Sequence, residues 1–301
     1  MTEEESLKQY DCYIIGPISI DTEVSHTGAT RKMVSGALLF SSYAAVAGGK
    51  RVGALGKLAE EDMYVTPSFY VQDLTLVPSK ASTRMHVIYE TADRERRKLK
   101  LVSVCDPITA EDIPTDIEAD VFHLAGLEYG DFDFGLFPYL AKRGKVACDL
   151  QGFLRHVRND NLVYDDWLEK KEYIPYITYL KADAAEAELI TGLADRREAA
   201  QQLYDWGAKE VMITHNTEVL IYDGKQFYTC PIRARNLVGR SGRGDSTFGS
   251  YITERTDKGI PESLFYATSL VSLKMEAFGP FKGRRKDVEA YQREFYSDLL
   301  G

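Results

Sequence analysis

The stretch "GRSGRGDSTFGSY", residues 239–251, sets Gly242 and Gly244 immediately ahead of an aspartate, Asp245. Phe248, Tyr251 and Ile252 then recur at helical spacing, so the glycine turn enters a helix whose first residues include Asp245. Two glycines permit unusual backbone angles that let consecutive N–H groups converge, and a helix N-terminus adds partial positive charge. The pattern predicts an anion site. An aspartate beside an anion repels it unless the carboxylate has a task of its own. Removing a proton from an attacking hydroxyl is such a task, and capping the helix is the alternative. Read alone, Arg243 to Ser246 also spells the tetrapeptide of adhesive matrix proteins, a reading that requires export.

Composition argues against export. Met1 to Asp11 is acidic and polar, without the basic and apolar regions of a signal peptide. Cys12, Cys105, Cys148 and Cys230 lie far apart, and three of them interrupt apolar runs, as reduced buried thiols do. No apolar run approaches the roughly 18 residues of a membrane span. A soluble cytoplasmic protein without a membrane partner is expected. With 301 residues and 44% hydrophobic composition, the chain can bury one large domain with a modest appendage. A formal net charge of -9 lacks the basic excess that phosphate backbones demand, so nucleic acid is not an expected partner.

Outward from the glycine turn, short apolar runs recur at 12–20, 121–127, 145–150, 176–182 and 210–215. Helical spacing lies between them at 131–143, 184–191 and 196–206. Strand then helix, repeated, predicts an α/β three-layer sandwich with a mostly parallel central sheet. Ligands of such sheets collect at the carboxyl ends of the strands. From Ser68 to Val104 the pattern alternates apolar and polar and includes the charged turn "TADRERR". This segment predicts a small antiparallel β lid at 68–104 on a large domain of 1–67 and 105–301, with a further lid piece near 21–31. An excursion of the main sheet's edge is the alternative. His26 and His123 pair with no nucleophile in sequence, and His123, in an apolar run, is expected to be a satisfied core histidine.

The glycine turn resembles the G-A-G-D signature of the ribokinase-like (PfkB) carbohydrate kinases, and the resemblance extends over nearly the whole chain. "GPISID" (16–21) resembles that family's first strand, implying that Asp21 holds substrate hydroxyls. "VSGALLFSSYAAVAGGKRVGALGKLAEED" (34–62) resembles its glycine-rich helix and following strand, with Ser35 and Gly36 at the glycine pair. "LKADAAEAELITG" (180–192) resembles the N-x-x-E segment, with Asp183 at the asparagine and Glu186 at the glutamate near magnesium. "MITHNTEVLIYDGKQFY" (212–228) resembles the T-x-G strand and hairpin beside the nucleotide, with Thr214 at the threonine. Lys181 and Asn216 fall beside these positions and are assigned with them to the nucleotide. Asp149, Gln151 and Arg155 match the position whose polar side chains reach substrate. "CDPITAEDIP", "CDLQGFLR" and "YLKADAAEAEL" are similar to stretches of the family's inositol kinases.

The resemblance implies a ribokinase-like fold and an ATP-dependent phosphotransferase acting on a hydroxyl of a small sugar or polyol, with Mg2+ and a monovalent cation as candidate cofactors. It implies Asp245 as base, the N–H groups of Gly242, Arg243 and Gly244 as anion hole, and Glu186 as a water-mediated magnesium ligand. Asp21, Ser35, Gly36, Gln151 and Arg155 would hold the acceptor, and a homodimer would form through the lid. Several positions depart from the pattern. Phe40 stands where many sugar kinases place a substrate-binding asparagine, Arg240 and Ser241 replace two threonines, Arg243 a small residue, and Asn216 a glycine. Arg243 therefore has two readings, a clamp for transferred charge or a solvated side chain, and Arg155 alone reads equally as a surface ion pair. A nucleoside kinase and a binding protein without turnover are the competing functions.

Overall fold

The computed structural model describes residues 7–91 and 97–299. Along these residues the strands are β1 (Lys8–Pro17), β2 (Ser19–Val24), β3 (Thr30–Ser35), β4 (Val52–Ala59), β5 (Asp73–Ser79), β6 (Arg84–Tyr89), β7 (Arg97–Ser103), β8 (Ile117–Leu124), β9 (Lys145–Asp149), β10 (Arg155–Arg158), β11 (Asn161–Tyr164), β12 (Ile177–Asp183), β13 (Glu210–Thr214), β14 (Glu218–Tyr222) and β15 (Phe227–Pro231). The helices are α1 (Ala37–Ala47), α2 (Leu136–Ala141), α3 (Gln151–Leu154), α4 (Lys170–Tyr173), α5 (Ala184–Thr191), α6 (Arg196–Asp205), α7 (Arg243–Glu254), α8 (Ile260–Lys274) and α9 (Arg285–Phe295).

Nine strands build the large sheet in the order β15-β14-β13-β12-β9-β8-β1-β4-β5. From β13 to β5 every pairing is parallel, and only the β13-β14-β15 hairpins run antiparallel. The expected sandwich follows from the side-chain alternation of β1. Tyr13 and Ile15 enter the core with Phe122, Phe137, Phe153 and Trp167, while Cys12 and Ile14 face the opposite core with Phe248, Tyr251 and Ile252 of α7. A strand buried on both faces reads as a continuous apolar run, which is why residues 12–20 do. Strand order reverses at β1, between β8 and β4, and that switch point opens a crevice beyond the carboxyl ends.

A six-stranded sheet, β10-β11-β7-β6-β2-β3, covers this crevice. It differs from the segment expected at 68–104 in three ways. Residues Asp73–Ser79 join the large sheet as its edge, pairing parallel with β4. Residues 19–35 add two more strands to the six-stranded sheet, Asp21 lying on β2 and pairing with Met33 of β3 instead of ending the first large-sheet strand. A third piece, the β10-β11 hairpin, comes from residues 155–164. The charged turn expected at 91–97 lies mostly outside the described residues. All four cysteines are free and buried, and no helix among the described residues is long and apolar enough to cross a membrane.

His123 corrects its sequence reading. It is buried on β8 with its ring edge-on to Phe248, centroids 5.1 Å apart, and neither ring nitrogen has a hydrogen-bond partner. Burial, with Lys181 adding to it, pulls its pKa from the ordinary histidine value to about 3. The folded value is depressed, so between about pH 6.5 and 3 the unfolded chain takes up a proton that the folded chain refuses. Stability therefore falls as pH drops through that window, by up to about 1.4 kcal/mol per pH unit. Urea unfolding of His123→Phe between pH 7 and 4 is expected to show a shallower acid loss than wild type. Equal slopes would dismiss His123 as a source of acid lability.

Candidate active site

The glycine turn sits where α7 meets the crevice. Gly242 caps α7 with φ +71°, a left-handed conformation that glycine adopts without penalty, and a Cβ there would lie 2.1 Å from the Phe40 ring. Phe40, which replaces an expected polar contact, thus supports the turn from beneath. Helices α1 and α7 pack so closely that a Cβ on Gly249 would meet Ser41 Cα at 2.8 Å, and the Ser41 hydroxyl donates to the Asp245 carbonyl at 3.1 Å. This contact fixes Asp245 in the first turn of α7. The capping alternative does not fit, because no side chain caps this helix. One expected anion-hole donor is spoken for: the Arg243 N–H donates to the Arg240 carbonyl at 3.2 Å. Among the described residues, the N–H groups of Gly242 and Gly244 remain for an anion.

Two cavities meet at Asp245. The larger, about 670 Å³, is lined by Lys181, Asp183, Glu186, Thr214, Asn216 and the turn 240–245. The smaller, about 110 Å³, lies under the lid and is lined by Asp21, Ser35, Gly36, Phe40 and the lid side chains Met33, Met85, Val87 and Leu99. Gln151, Arg155, Ser241, Gly242 and Asp245 line both, together with Tyr89. Most of the residues singled out in the sequence line these two adjoining cavities, Gln151 and Arg155 lining both, whereas Asp149 lines neither and instead pairs with Lys181.

Beneath the larger cavity, Lys181 Nζ stands 3.0 and 2.9 Å from the two Asp149 carboxylate oxygens and 3.6 Å from Glu186 Oε2, all three side chains being buried. Burial opposes the Lys181 charge, yet Asp149, Glu186, Asp183 and Asp245 together push its pKa above the ordinary lysine value. A Cβ on Gly244 would come 3.0 Å from Lys181 Nζ, which places this ammonium directly against the turn. Asp183 and Glu186 form a reciprocal cap on α5: Glu186 N–H donates to Asp183 Oδ1 at 2.8 Å and Asp183 N–H to Glu186 Oε2 at 2.7 Å.

The acceptor side is built from different elements. The Ser19 hydroxyl donates to Asp21, whose pKa burial raises while Ser19 and Ser35 hold it back. Gln151 Nε2 donates to the Gly126 carbonyl at 3.3 Å. Arg155 is buried, its Nε donating to the Tyr164 hydroxyl at 3.0 Å, so it is no surface ion pair. Arg243 is half-buried, its Nη1 donating to Asn216 Oδ1 at 2.7 Å along the wall of the larger cavity. Burial and the neighbouring Arg240 lower its pKa. Sequence reasoning missed Tyr89, Tyr164 and the buried Lys274, none of which stands in a recognisable spacing.

Magnesium fits only as a shared ligand. No group of three acidic, histidine or cysteine side chains among the described residues could hold a metal by itself. Glu186 faces the larger cavity with one carboxylate oxygen not used in its cap, which suits an ion that keeps its waters and takes its other ligands from donor phosphates.

Comparison with known proteins accords with this geometry. The profile of the pfkB family carbohydrate kinases matches residues 81–282. Cytidine kinase of Thermococcus kodakarensis is 26% identical over 255 residues, covering 80% of this chain and 87% of that protein. A pyrophosphate-dependent kinase of the ribokinase family, solved with a pyrophosphate analog and myo-inositol, is 30% identical, covers 93% of this chain and 99% of its own, and superposes with a TM-score of 0.82. Arabidopsis thaliana ribokinase, solved with ribose and ATP, has a TM-score of 0.74 at 14% identity, over 94% of this chain and 98% of its own. Sheet, lid and glycine turn define a ribokinase-like fold. The chain belongs to the pfkB family of carbohydrate kinases.

The pKa of Asp245 is raised by burial, with Lys181 and Arg155 pulling it back down and Glu186 opposing them. A carboxyl whose pKa is raised by folding destabilises the fold wherever it is ionised, and an amide removes that charge. Asp245→Asn is therefore expected to keep or slightly raise the melting temperature, within about 1 kcal/mol of wild type. Turnover should drop about 10²-fold or more, the scale of losing a general base. Full turnover would remove Asp245 from the chemistry, and a large fall in melting temperature would return it to a structural role.

Proposed function

We propose that this protein transfers the terminal phosphoryl group of a polyphosphate donor to a hydroxyl of a small polyol or sugar. The observation that carries the reading is the position of Asp245, which faces both cavities and caps no helix. In this reading the acceptor lies under the lid, oriented by Asp21, Gln151 and Arg155, with one hydroxyl toward Asp245. The carboxylate takes that proton as the oxygen attacks. Charge on the transferred group falls to the N–H groups of Gly242 and Gly244 and to the α7 N-terminus, with Arg155 and Arg243 at its sides. Glu186, through water, would hold magnesium, which neutralises charge between donor phosphates. Lys181 holds Asp149 and Glu186 beneath the turn.

Two observations refine the substrates. The small lid cavity supports a single-ring acceptor, and the 30% identical relative is a structure with myo-inositol, in line with the inositol-kinase resemblance of residues 105–114, 148–155 and 179–189. For the donor, ATP is the family expectation. Inorganic pyrophosphate is the donor we favour, because Arg240 and Arg243 put two guanidinium groups on one wall of the larger cavity, a charge density that suits a compact polyanion. The cytidine kinase relative supplies the competing acceptor class.

A panel of inositols, pentoses, hexoses and nucleosides, each with ATP or pyrophosphate and Mg2+, tests the proposal. Turnover of an inositol or sugar, faster with pyrophosphate, is the expected result. Phosphorylation of nucleosides alone would replace the polyol reading, and no acceptor with either donor would favour a binding protein. Arg243→Ala should lower kcat and kcat/KM together, about 10²-fold, because the contact develops mainly in the transition state. An unchanged kcat would take Arg243 out of the transfer step.

A further inference from the structure

Lys274, the last residue of α8, has no part in the mechanism above, yet it is only 2% exposed and lies against the phosphate turn. Its ammonium donates to the Gly239 carbonyl at 2.6 Å and to the Ser241 carbonyl, and stands 5.1 Å from the centroid of the Phe40 ring. The same loop is fastened at a third point, where the Gly239 N–H donates to the Met275 carbonyl at 2.7 Å. A Cβ on Gly239 would lie 1.8 Å from the Ala277 carbonyl oxygen, so the approach is too close for any side chain there.

The peptide plane turns these contacts into a functional statement. In a trans peptide the C=O and the following N–H point in opposite directions, and the described residues contain no cis peptide. Drawing the Ser241 carbonyl toward Lys274 therefore aims the Gly242 N–H away from Lys274. Ser241 and Gly242 line the larger cavity, which is where that N–H is needed. The neighbouring Arg240 carbonyl is occupied by the Arg243 N–H, so the whole turn is held from its back by acceptors already satisfied.

We propose that Lys274 is a positioning residue for phosphoryl transfer: an ammonium built into the fold that holds the backs of the 239–242 peptides so that the Gly242 N–H faces the donor anion. Hydrophobic packing would fix the loop's place but not the direction of its peptide dipoles, whereas a cation selects the carbonyl-facing orientation. Burial lowers the Lys274 pKa to about 8, and the Asp245 charge opposes that fall, so the ammonium remains the main form at neutral pH. The inference rests on the proposed transfer reaction for its kinetic consequence, but not for its effect on anion binding.

Lys274→Ala and Lys274→Met, as full chains, separate this role from plain packing. Titration with inorganic pyrophosphate and with ATP, read by calorimetry, should show dissociation constants raised about 10-fold in both variants. With a competent acceptor, kcat should fall about 10²-fold, the cost of losing one oxyanion donor. The acceptor KM should stay near wild type. Methylammonium should restore Lys274→Ala saturably, and should not restore Lys274→Met, whose side chain fills the space. Unchanged anion binding in a folded variant would overturn the proposal, as would equal shifts in donor and acceptor KM without rescue. Loss of folding in both variants would make Lys274 structural and would overturn it too. A wild type that binds the anions but turns over no acceptor would defeat the proposed function and leave this inference to the binding data.

Discussion

Taking an ammonium out of water is unfavourable by several kcal/mol unless anions meet it. Lys181 is met by Asp149 at the end of β9 and by Glu186 on α5, while its own strand, β12, lies between β9 and β13. The penalty falls on any arrangement that separates them, so the carboxyl ends of two strands and the start of a helix are held to one relative position. The crevice floor inherits that position, as does the glycine turn resting on Lys181 Nζ. Burying this cluster is expensive in stability, and what it supplies is a site whose parts do not drift.

The turn is held from a second direction by shape. Gly249 lets α7 approach α1, Phe40 fills the space beneath Gly242, and the absence of side chains at 242 and 249 lets both contacts form. Replacing a polar contact with an aromatic ring at position 40 is thus compatible with a working turn, because the ring supports backbone instead of substrate. Charge below and packing behind leave the N–H groups one open side, toward the larger cavity.

Much of this was legible in the sequence because it is local. The double glycine before Asp245, the apolar runs of the parallel strands, and the Asp183–Glu186 spacing each carry their meaning within a few residues. What escaped depends on residues far apart in the chain. Lys274 and Gly239 are separated by 35 positions, and a lysine at the end of a helix reads as solvated. Asp73–Ser79 is an edge strand of the large sheet, half-buried along most of its length, and alternation alone cannot say which sheet it joins. Residues 155–164 were too short to be recognised as lid strands, their pairing being supplied by β7 some 60 residues earlier. The partnerless ring of His123 followed no pattern, since burial without a hydrogen bond is the exception to the rule used to read it.

The cover over the crevice is sewn from strands in three regions of the chain, 19–35, then 84–89 with 97–103, then 155–164, whereas the turn beneath it arrives at 239–245. During synthesis the cover is thus finished roughly 80 residues before its floor, an interval of about 4–16 s at ribosomal rates. At the start of that interval Met33, Met85, Val87 and Leu99 face a crevice without its glycine turn, beside a large sheet still lacking β12, β13, β14 and β15. The nascent chain is a half-roofed structure at that stage. Its hazard is self-association of an unfinished roof, a hazard that ends only when the turn at 239–245 follows.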